Sequence, residues 1–177
     1  VGLVVEQAAS RWAADPNEYI EKGMALRDDY RGDALVATHF ALEPSHALDD
    51  PTLARVRRLA DELEIPVALP VHESRLEMAE SQARHGARPL DRLLRLGFAS
   101  PLLVAVHGTC LSPADIDALA ACGAAVVHCP ESNLKLGSGV CPAADLVGRG
   151  VRVALGTDGA ASNNDLDLFS EMRTAGL

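Results

Sequence analysis

Several apolar runs of this sequence end in a side chain that can bind a metal ion or move a proton. These side chains are His72, Glu73, His107, His128 and Asp158. Short apolar runs are typical of buried parallel strands, and in an α/β barrel the carboxyl ends of the strands converge on one face. A lone histidine at a strand end is more often structural than a ligand. A set of histidine, glutamate and aspartate on one face instead predicts a metal site or an acid–base site.

The sharpest strand end lies in the stretch VRVALGTDGAASNN at 151–164. Its β-branched run ends at Leu155, and Asp158 follows between Gly156 and Gly159. Glycines let the backbone turn tightly, so an acid at this point is a candidate site residue. An aspartate after a strand also commonly caps the next helix. From this stretch alone the two interpretations weigh equally, and the other strand ends favour the site.

Strand and helix patterns alternate along the chain. Predicted strands cover 1–7, 35–42, 65–71, 102–106, 125–127 and 151–155. Predicted helices cover about 16–30, 50–63, 76–84, 89–96, 113–122, 143–149 and the residues from 165 onward, with a loop at 129–140. This alternation predicts an α/β fold built on a parallel sheet.

Two parallel architectures fit the alternation, a doubly wound sheet and a (β/α)₈ barrel. No GxGxxG pattern follows the first predicted strand, which weakens the dinucleotide-binding version of the doubly wound sheet. A barrel holds eight β/α units in ~250 residues. We therefore predict a partial (β/α)₈ TIM barrel that comprises about the third to eighth units.

Composition and charge argue against nucleic-acid-binding proteins, membrane proteins and proteins with a CxxC site. The 177 residues suffice for one domain, and the formal net charge of −9 argues against a nucleic-acid partner. No apolar run approaches a membrane span, no signal peptide is visible, and the four cysteines form no CxxC pair. We therefore expect free thiols and a cytoplasmic protein. Because the chain begins without methionine and stops inside a predicted helix, we expect residues 1–177 to be a fragment of a longer protein.

Four blocks of the sequence point to one family: HESRLEMAES, AVHGTCLSPADI, VVHCPESNLKLGSG and VALGTDGAASNNDLDLFSEMRTA. They resemble the amidohydrolase superfamily, and within it the deaminases and chlorohydrolases that act on S-adenosylhomocysteine, methylthioadenosine and triazines. The resemblance covers nearly the whole chain, and the HCPxSN and GTDGxxSNN patterns are its specific elements. It implies a barrel with one divalent metal, for which we expect zinc, with iron or manganese as alternatives. It also implies that the first strands, with an HxH ligand pair, and a flanking β domain are missing here.

The resemblance implies roles for individual residues. Asp158 matches the eighth-strand aspartate, a metal ligand that also accepts a proton from the metal-bound water. Glu73 matches the acid that carries a proton to the ring nitrogen of the substrate. His107 matches the sixth-strand histidine that helps orient the nucleophile. A metal lowers the pKa of its bound water and carboxylates move the protons, so the set is chemically consistent.

Two positions depart from the family's pattern. Pro70 stands where the fifth-strand motif HxHE has its ligand histidine, and proline has no donor atom for a metal. His72, two residues on, faces the same side of an ideal strand and is the candidate substitute ligand. Glu43 stands where the family often has a substrate-contacting histidine. His128 and Ser162 are candidates for lining the substrate pocket, each with a role in holding a loop as the alternative.

We expect the parent protein to be a metal-dependent hydrolase acting on a C–N bond of a purine-like or triazine-like ring, with a deaminase of adenosine derivatives as the first choice. Pro70 and Glu43 leave open a ligand-binding barrel that has lost catalysis. The 177-residue chain alone is expected to lack turnover, because it has one assured metal ligand, and to associate through the open edge of its sheet. We expect a small-molecule substrate and neither nucleic acid nor membrane as a partner, and leave a homo-oligomer open.

Overall fold

The computed structural model describes residues 1–176, which form one sheet with helices between its strands. The strands are β1 Gly2–Val5, β2 His39–Leu42, β3 Val67–Val71, β4 Leu103–His107, β5 Ala125–His128 and β6 Arg152–Leu155. Each strand is parallel to its neighbour, and their order in the sheet is their order in the sequence. A doubly wound sheet reverses its strand order at a switch point, so this sequential order is that of a barrel segment.

Helices follow the strands. Within residues 1–176 they are α1 Pro16–Asp29, α2 Asp50–Leu63, α3 Arg75–His85, α4 Pro89–Arg95, α5 Pro113–Cys122, α6 Pro130–Leu136, α7 Ala143–Gly148 and α8 Leu168–Ala175. The first two begin after an aspartate whose carboxylate accepts backbone N–H groups of the first turn, Asp15 for α1 and Asp49 for α2. None of the helices in the described part of the chain has the length and apolar character needed to cross a membrane.

Two predicted elements differ most from the structure. The strand predicted at 35–42 begins only at His39, because its partner β1 has four residues and the paired register starts at Gly2 and His39. The loop predicted at 129–140 was wrong, since it contains α6. Pro130 opens this helix and Gly137 ends it in a left-handed conformation, both ordinary signals. Seven residues are too few for an apolar period to show, which is why the pattern was missed.

The helices cover one face of the sheet. Side chains that point to this face are buried at alternate strand positions, as Leu3, Phe40 and Leu69 illustrate. The opposite, barrel-facing side carries small or half-buried side chains such as Ala41 and Ala68. Because the six strands run in the same direction, their carboxyl ends lie along one edge, and the candidate site residues follow at that edge.

Candidate active site

Three candidate residues adopt a left-handed backbone where their strands end. The φ angle is +55° at His72, +74° at His107 and +60° at Asp158. This conformation costs a residue other than glycine roughly 1–2 kcal/mol, so it persists only where the surrounding contacts enforce it. Among the described non-glycine residues, Glu64 and Leu166 are the others that share it. Three of the five strained residues therefore lie at strand ends that carry candidate site residues. The positive φ also turns each of these side chains away from the alternation of an ideal strand.

Asp158 follows β6 and is held by two hydroxyl groups. Ser132 Oγ, on α6, donates to Asp158 Oδ2 at 2.7 Å, and Ser162 Oγ donates to the same oxygen at 2.6 Å. Burial acts to raise the pKa of Asp158, but the hydrogen bonds from Ser162 and Ser132 outweigh it and the pKa is lowered. Asp158 is therefore an ionised carboxylate with one oxygen fixed. Such a group can bind a divalent cation or accept a proton.

His107 lies beside Glu73 and is close enough to Asp158 to influence its pKa. His107 Nδ1 donates to Asn133 Oδ1 at 2.9 Å, and His107 Nε2 faces the Glu73 carboxylate at 3.8 Å from Oε2. Ser138 Oγ donates to the other Glu73 oxygen at 3.4 Å. In addition to the serine hydroxyls, the electrostatic influence of His107 lowers the pKa of Asp158. The structure thus brings the three predicted catalytic side chains together at one edge of the sheet.

Helix α6 links the two halves of this cluster. Ser132 bonds to Asp158, and the next residue, Asn133, bonds to His107. Both side chains are buried, so their positions are set by the packing around α6. Neither residue was predicted to belong to the site. The signal that could have found them was the specific HCPxSN block, which contains both. That block supplies the contacts that orient two of the three clustered side chains.

A cleft of ≈ 1320 Å³ opens beside Glu73. Its wall also includes Arg75, Thr109, Leu111 and the segment 136–139. The Glu73 side chain is 23% exposed, so its carboxylate can reach a molecule bound in the cleft. Thr109 Oγ1 donates to the backbone carbonyl of Glu73, which ties the loop after β4 to the loop after β3.

The structure does not bring His72 to the cluster. His72 Nε2 accepts the backbone N–H of Leu90 at 3.2 Å, and Nδ1 faces Asp115 and Arg88 at 3.5 Å each. The ring is fully buried among α4 and α5 contacts and serves the first turn of α4 as an acceptor. The substitution argument assumed ideal strand alternation through His72, but β3 ends at Val71 and the positive φ directs the ring elsewhere. Its geometry supports a structural role instead of a metal ligand.

The buried His72 ring predicts a specific dependence of stability on pH. Burial lowers the pKa of His72 to about 4 from 6.5. The unfolded chain therefore binds a proton that the folded chain rejects between these values, and stability falls as the pH falls through that window. We expect wild type to lose up to about 3 kcal/mol relative to His72→Gln, which keeps an acceptor for Leu90 but does not titrate. Urea unfolding of both proteins across the window measures this difference, and parallel curves would contradict it.

Pro70 lies in β3 and offers no donor atom to a metal. It pairs in register with Val106 and is half-buried on the barrel-facing side of the sheet. Within residues 1–176, no three histidine, cysteine, aspartate or glutamate side chains are placed to hold one metal ion. A catalytic zinc normally takes three protein ligands. The described residues therefore do not complete a metal site by themselves.

The three candidate substrate residues lie in different surroundings. Ser162 is buried and donates to Asp158, so its observed role is to hold that carboxylate. His128 ends β5 and lines a second cavity of ≈ 510 Å³ beside α6 and α7. Burial, reinforced by the electrostatic influence of His107, lowers the pKa of His128. Glu43 accepts the backbone N–H of Gln7 and joins the carboxyl ends of β1 and β2.

A family model described as the amidohydrolase family matches residues 9–176. The chain belongs to the amidohydrolase family. The resemblance inferred from the four sequence blocks is therefore confirmed, and an amidohydrolase barrel accounts for the sequential parallel order of the six strands.

Relatives of this chain include three deaminases. A 5-methylthioadenosine/S-adenosylhomocysteine deaminase of Teredinibacter turnerae is 49% identical over 169 residues, which cover 96% of this chain and 38% of that protein. A second, of Saccharophagus degradans, is 45% identical with 95% and 38% coverage. A 5'-deoxyadenosine deaminase of Methanothrix thermoacetophila is 38% identical with 90% and 39% coverage. The chain thus spans less than half the length of these relatives.

Solved amidohydrolase structures confirm the partial barrel. An adenosine deaminase from Xanthomonas campestris with bound zinc superposes with a TM-score of 0.96 at 50% identity, covering 99% of this chain and 40% of that one. An atrazine chlorohydrolase from Arthrobacter aurescens superposes with a TM-score of 0.90 at 20% identity, covering 98% of this chain and 41% of that one, which shows the fold alone. The predicted α/β architecture is correct.

Proposed function

We propose that this chain is part of a metal-dependent deaminase, an amidohydrolase that removes the amino group of an adenosine derivative by hydrolysis. The observation that carries the proposal is the cluster of Glu73, His107 and ionised Asp158 beside a large cleft. The names of the deaminases that are 45–49% identical to this chain support the same reaction. Residues 1–177 would then supply about the third to eighth barrel units of the parent protein, with the HxH pair on strands outside this chain.

Each clustered side chain has a distinct task in this proposal. Asp158 takes up a proton from the attacking water, for which its lowered pKa keeps it ionised. Glu73, on the cleft wall, delivers a proton to the ring nitrogen, and Ser138 holds one of its oxygens. His107, fixed by Asn133, directs Nε2 toward the same region and orients the oxygen nucleophile. A divalent metal, zinc by similarity to the zinc-bound relative, would lower the pKa of the water when bound.

The cleft supports a nucleoside-sized substrate. Its volume of ≈ 1320 Å³ lies above the roughly 300–1,000 Å³ of an ordinary small-molecule pocket. Apolar side chains such as Leu76, Leu111 and Leu136 line it together with Ser74 and Arg75. We propose a small adenosine derivative as the substrate and the cytoplasm as the location, with no nucleic-acid partner because of the net charge of −9.

Pro70 favours a second candidate function, a barrel that binds a ligand without catalysis. The two functions are separated by metal analysis of the purified parent protein, because a deaminase of this kind needs its metal. One tightly held equivalent of zinc, iron or manganese, lost on chelation together with turnover, supports the deaminase. A metal content well below one equivalent, with a nucleoside still bound, would overturn it in favour of the binding barrel.

Replacing Pro70 by histidine tests whether position 70 faces the metal. We expect Pro70→His to tighten zinc binding by the parent protein at least about tenfold, because it adds an imidazole ligand. The matched control is Ala68→His, which lies on the same face of β3 but farther from the carboxyl end, and it should leave the affinity unchanged. Competition with a chromophoric chelator measures both. Equal affinities for wild type and Pro70→His would show that position 70 contributes no ligand.

A further inference from the structure

Glu171 is a fully buried carboxylate on α8 that none of the proposed catalytic steps uses. A buried carboxylate is unfavourable unless hydrogen-bond donors surround it. Two donors do so here. The backbone N–H of Glu131, at the start of α6, reaches Oε2 at 3.1 Å, and Asn163 Nδ2 reaches Oε1 at 2.7 Å.

Both donors stand next to a serine that holds Asp158. Glu131 precedes Ser132, and Asn163 follows Ser162. The Asn163 side chain is itself fixed, because its Oδ1 accepts two backbone N–H groups from the following turn. One carboxylate therefore anchors the two separate segments, the start of α6 and the loop after β6, whose hydroxyls meet at Asp158 Oδ2.

We infer that Glu171 is a positioning residue for Asp158: it fixes Ser132 and Ser162 relative to each other, and through them the orientation of the Asp158 carboxylate. The inference rests on the proposed function only in treating Asp158 as the reacting group. The same two helices are joined a second time by Thr174 Oγ1, which donates to Glu131 Oε1 at 2.9 Å. That second bond joins the helices without reaching Asn163, so it provides a matched comparison.

The test compares Glu171→Gln with Glu131→Gln in the parent protein. Glutamine at 171 has one acceptor oxygen and turns an NH₂ group toward the other donor, so one arm of the anchor is lost. We expect kcat to fall at least about tenfold for Glu171→Gln, since misplaced catalytic groups lose rate steeply, while KM stays within about twofold. Glutamine at 131 still accepts from Thr174, so both constants should stay at wild-type values.

A double-mutant cycle distinguishes positioning from general destabilisation. In a Ser132→Ala/Ser162→Ala background, Glu171→Gln should change kcat by less than about twofold, because the path to Asp158 is already cut. An undiminished loss in that background would overturn the inference. Should Glu171→Gln fail to fold, Asn163→Ser removes the amide donor to Glu171, leaves a hydroxyl oxygen for the N–H groups of the following turn, and is held to the same criteria.

Crystal structures of wild type and Glu171→Gln test the positioning role without any measurement of turnover. A parent protein that has no turnover would refute the proposed function but not this role. The inference expects Asp158 to lose at least one serine hydrogen bond in the variant and to keep both in Glu131→Gln. An Asp158 carboxylate with both bonds intact in Glu171→Gln would refute the positioning role.

Discussion

Asp158→Asn in the parent protein is expected to lower kcat by roughly 10²–10⁴-fold, the range typical of a lost proton acceptor. Asparagine has the same shape, so the fold should persist. Ser132 and Ser162 both donate to Oδ2, and the asparagine carbonyl oxygen is the one atom that can satisfy them. Its NH₂ group would then point into the site, where it places a donor in the position of an acceptor.

Ammonia release under saturating substrate measures this loss. Asp117→Asn is the matched control, since Asp117 is an exposed aspartate on α5 that pairs with Arg149 at 2.9 Å. The control should keep wild-type kcat. An Asp158→Asn protein that retains half of the wild-type rate would exclude Asp158 from the reaction.

Glu73→Gln is the second substitution with a large expected effect, again roughly 10²–10⁴-fold on kcat. Glutamine has the same shape and can still contact Ser138 and His107, but it cannot carry a proton. The loss should persist at every pH at which the protein is folded, because no protonation state of glutamine replaces the acid. Initial rates across that range test this, with the exposed Glu62 on α2 as the matched Glu→Gln control.

Combining the two substitutions adds a check on shared mechanism. If Glu73 and Asp158 move protons of one reaction, the double variant should lose little more than the worse single variant, because residues that act as a unit are not additive. Multiplicative losses would indicate two independent functions for the carboxylates.

The barrel architecture could be predicted from the sequence because its signals are local. Asp15 and Asp49 cap their helices through their own side chains, and each β-strand is a short apolar run bounded by polar residues. Helix α6 was not predicted because its seven residues are too few to show an apolar period, although Pro130 and Gly137 mark its ends.

The position of the candidate side chains at one edge of the sheet could be predicted from the sequence, but their orientation only in part. Glu73, His107 and Asp158 were identified from strand ends and from family resemblance, and the structure gathers them. The orientation of His72 could not be read from the sequence, because a positive φ at a residue other than glycine is imposed by tertiary contacts such as the bond from Leu90. The same holds for Ser162, whose bond to Asp158 depends on how the loop after β6 folds back.

Ammonia release from 5-methylthioadenosine, S-adenosylhomocysteine and adenosine by the purified, zinc-loaded parent protein tests the central claim most directly. The proposed function predicts one ammonia for each adenine ring converted to the hypoxanthine form, with the rate lost on chelation and restored by zinc. A folded parent protein that holds one equivalent of metal and releases no ammonia from any adenosine derivative would contradict it.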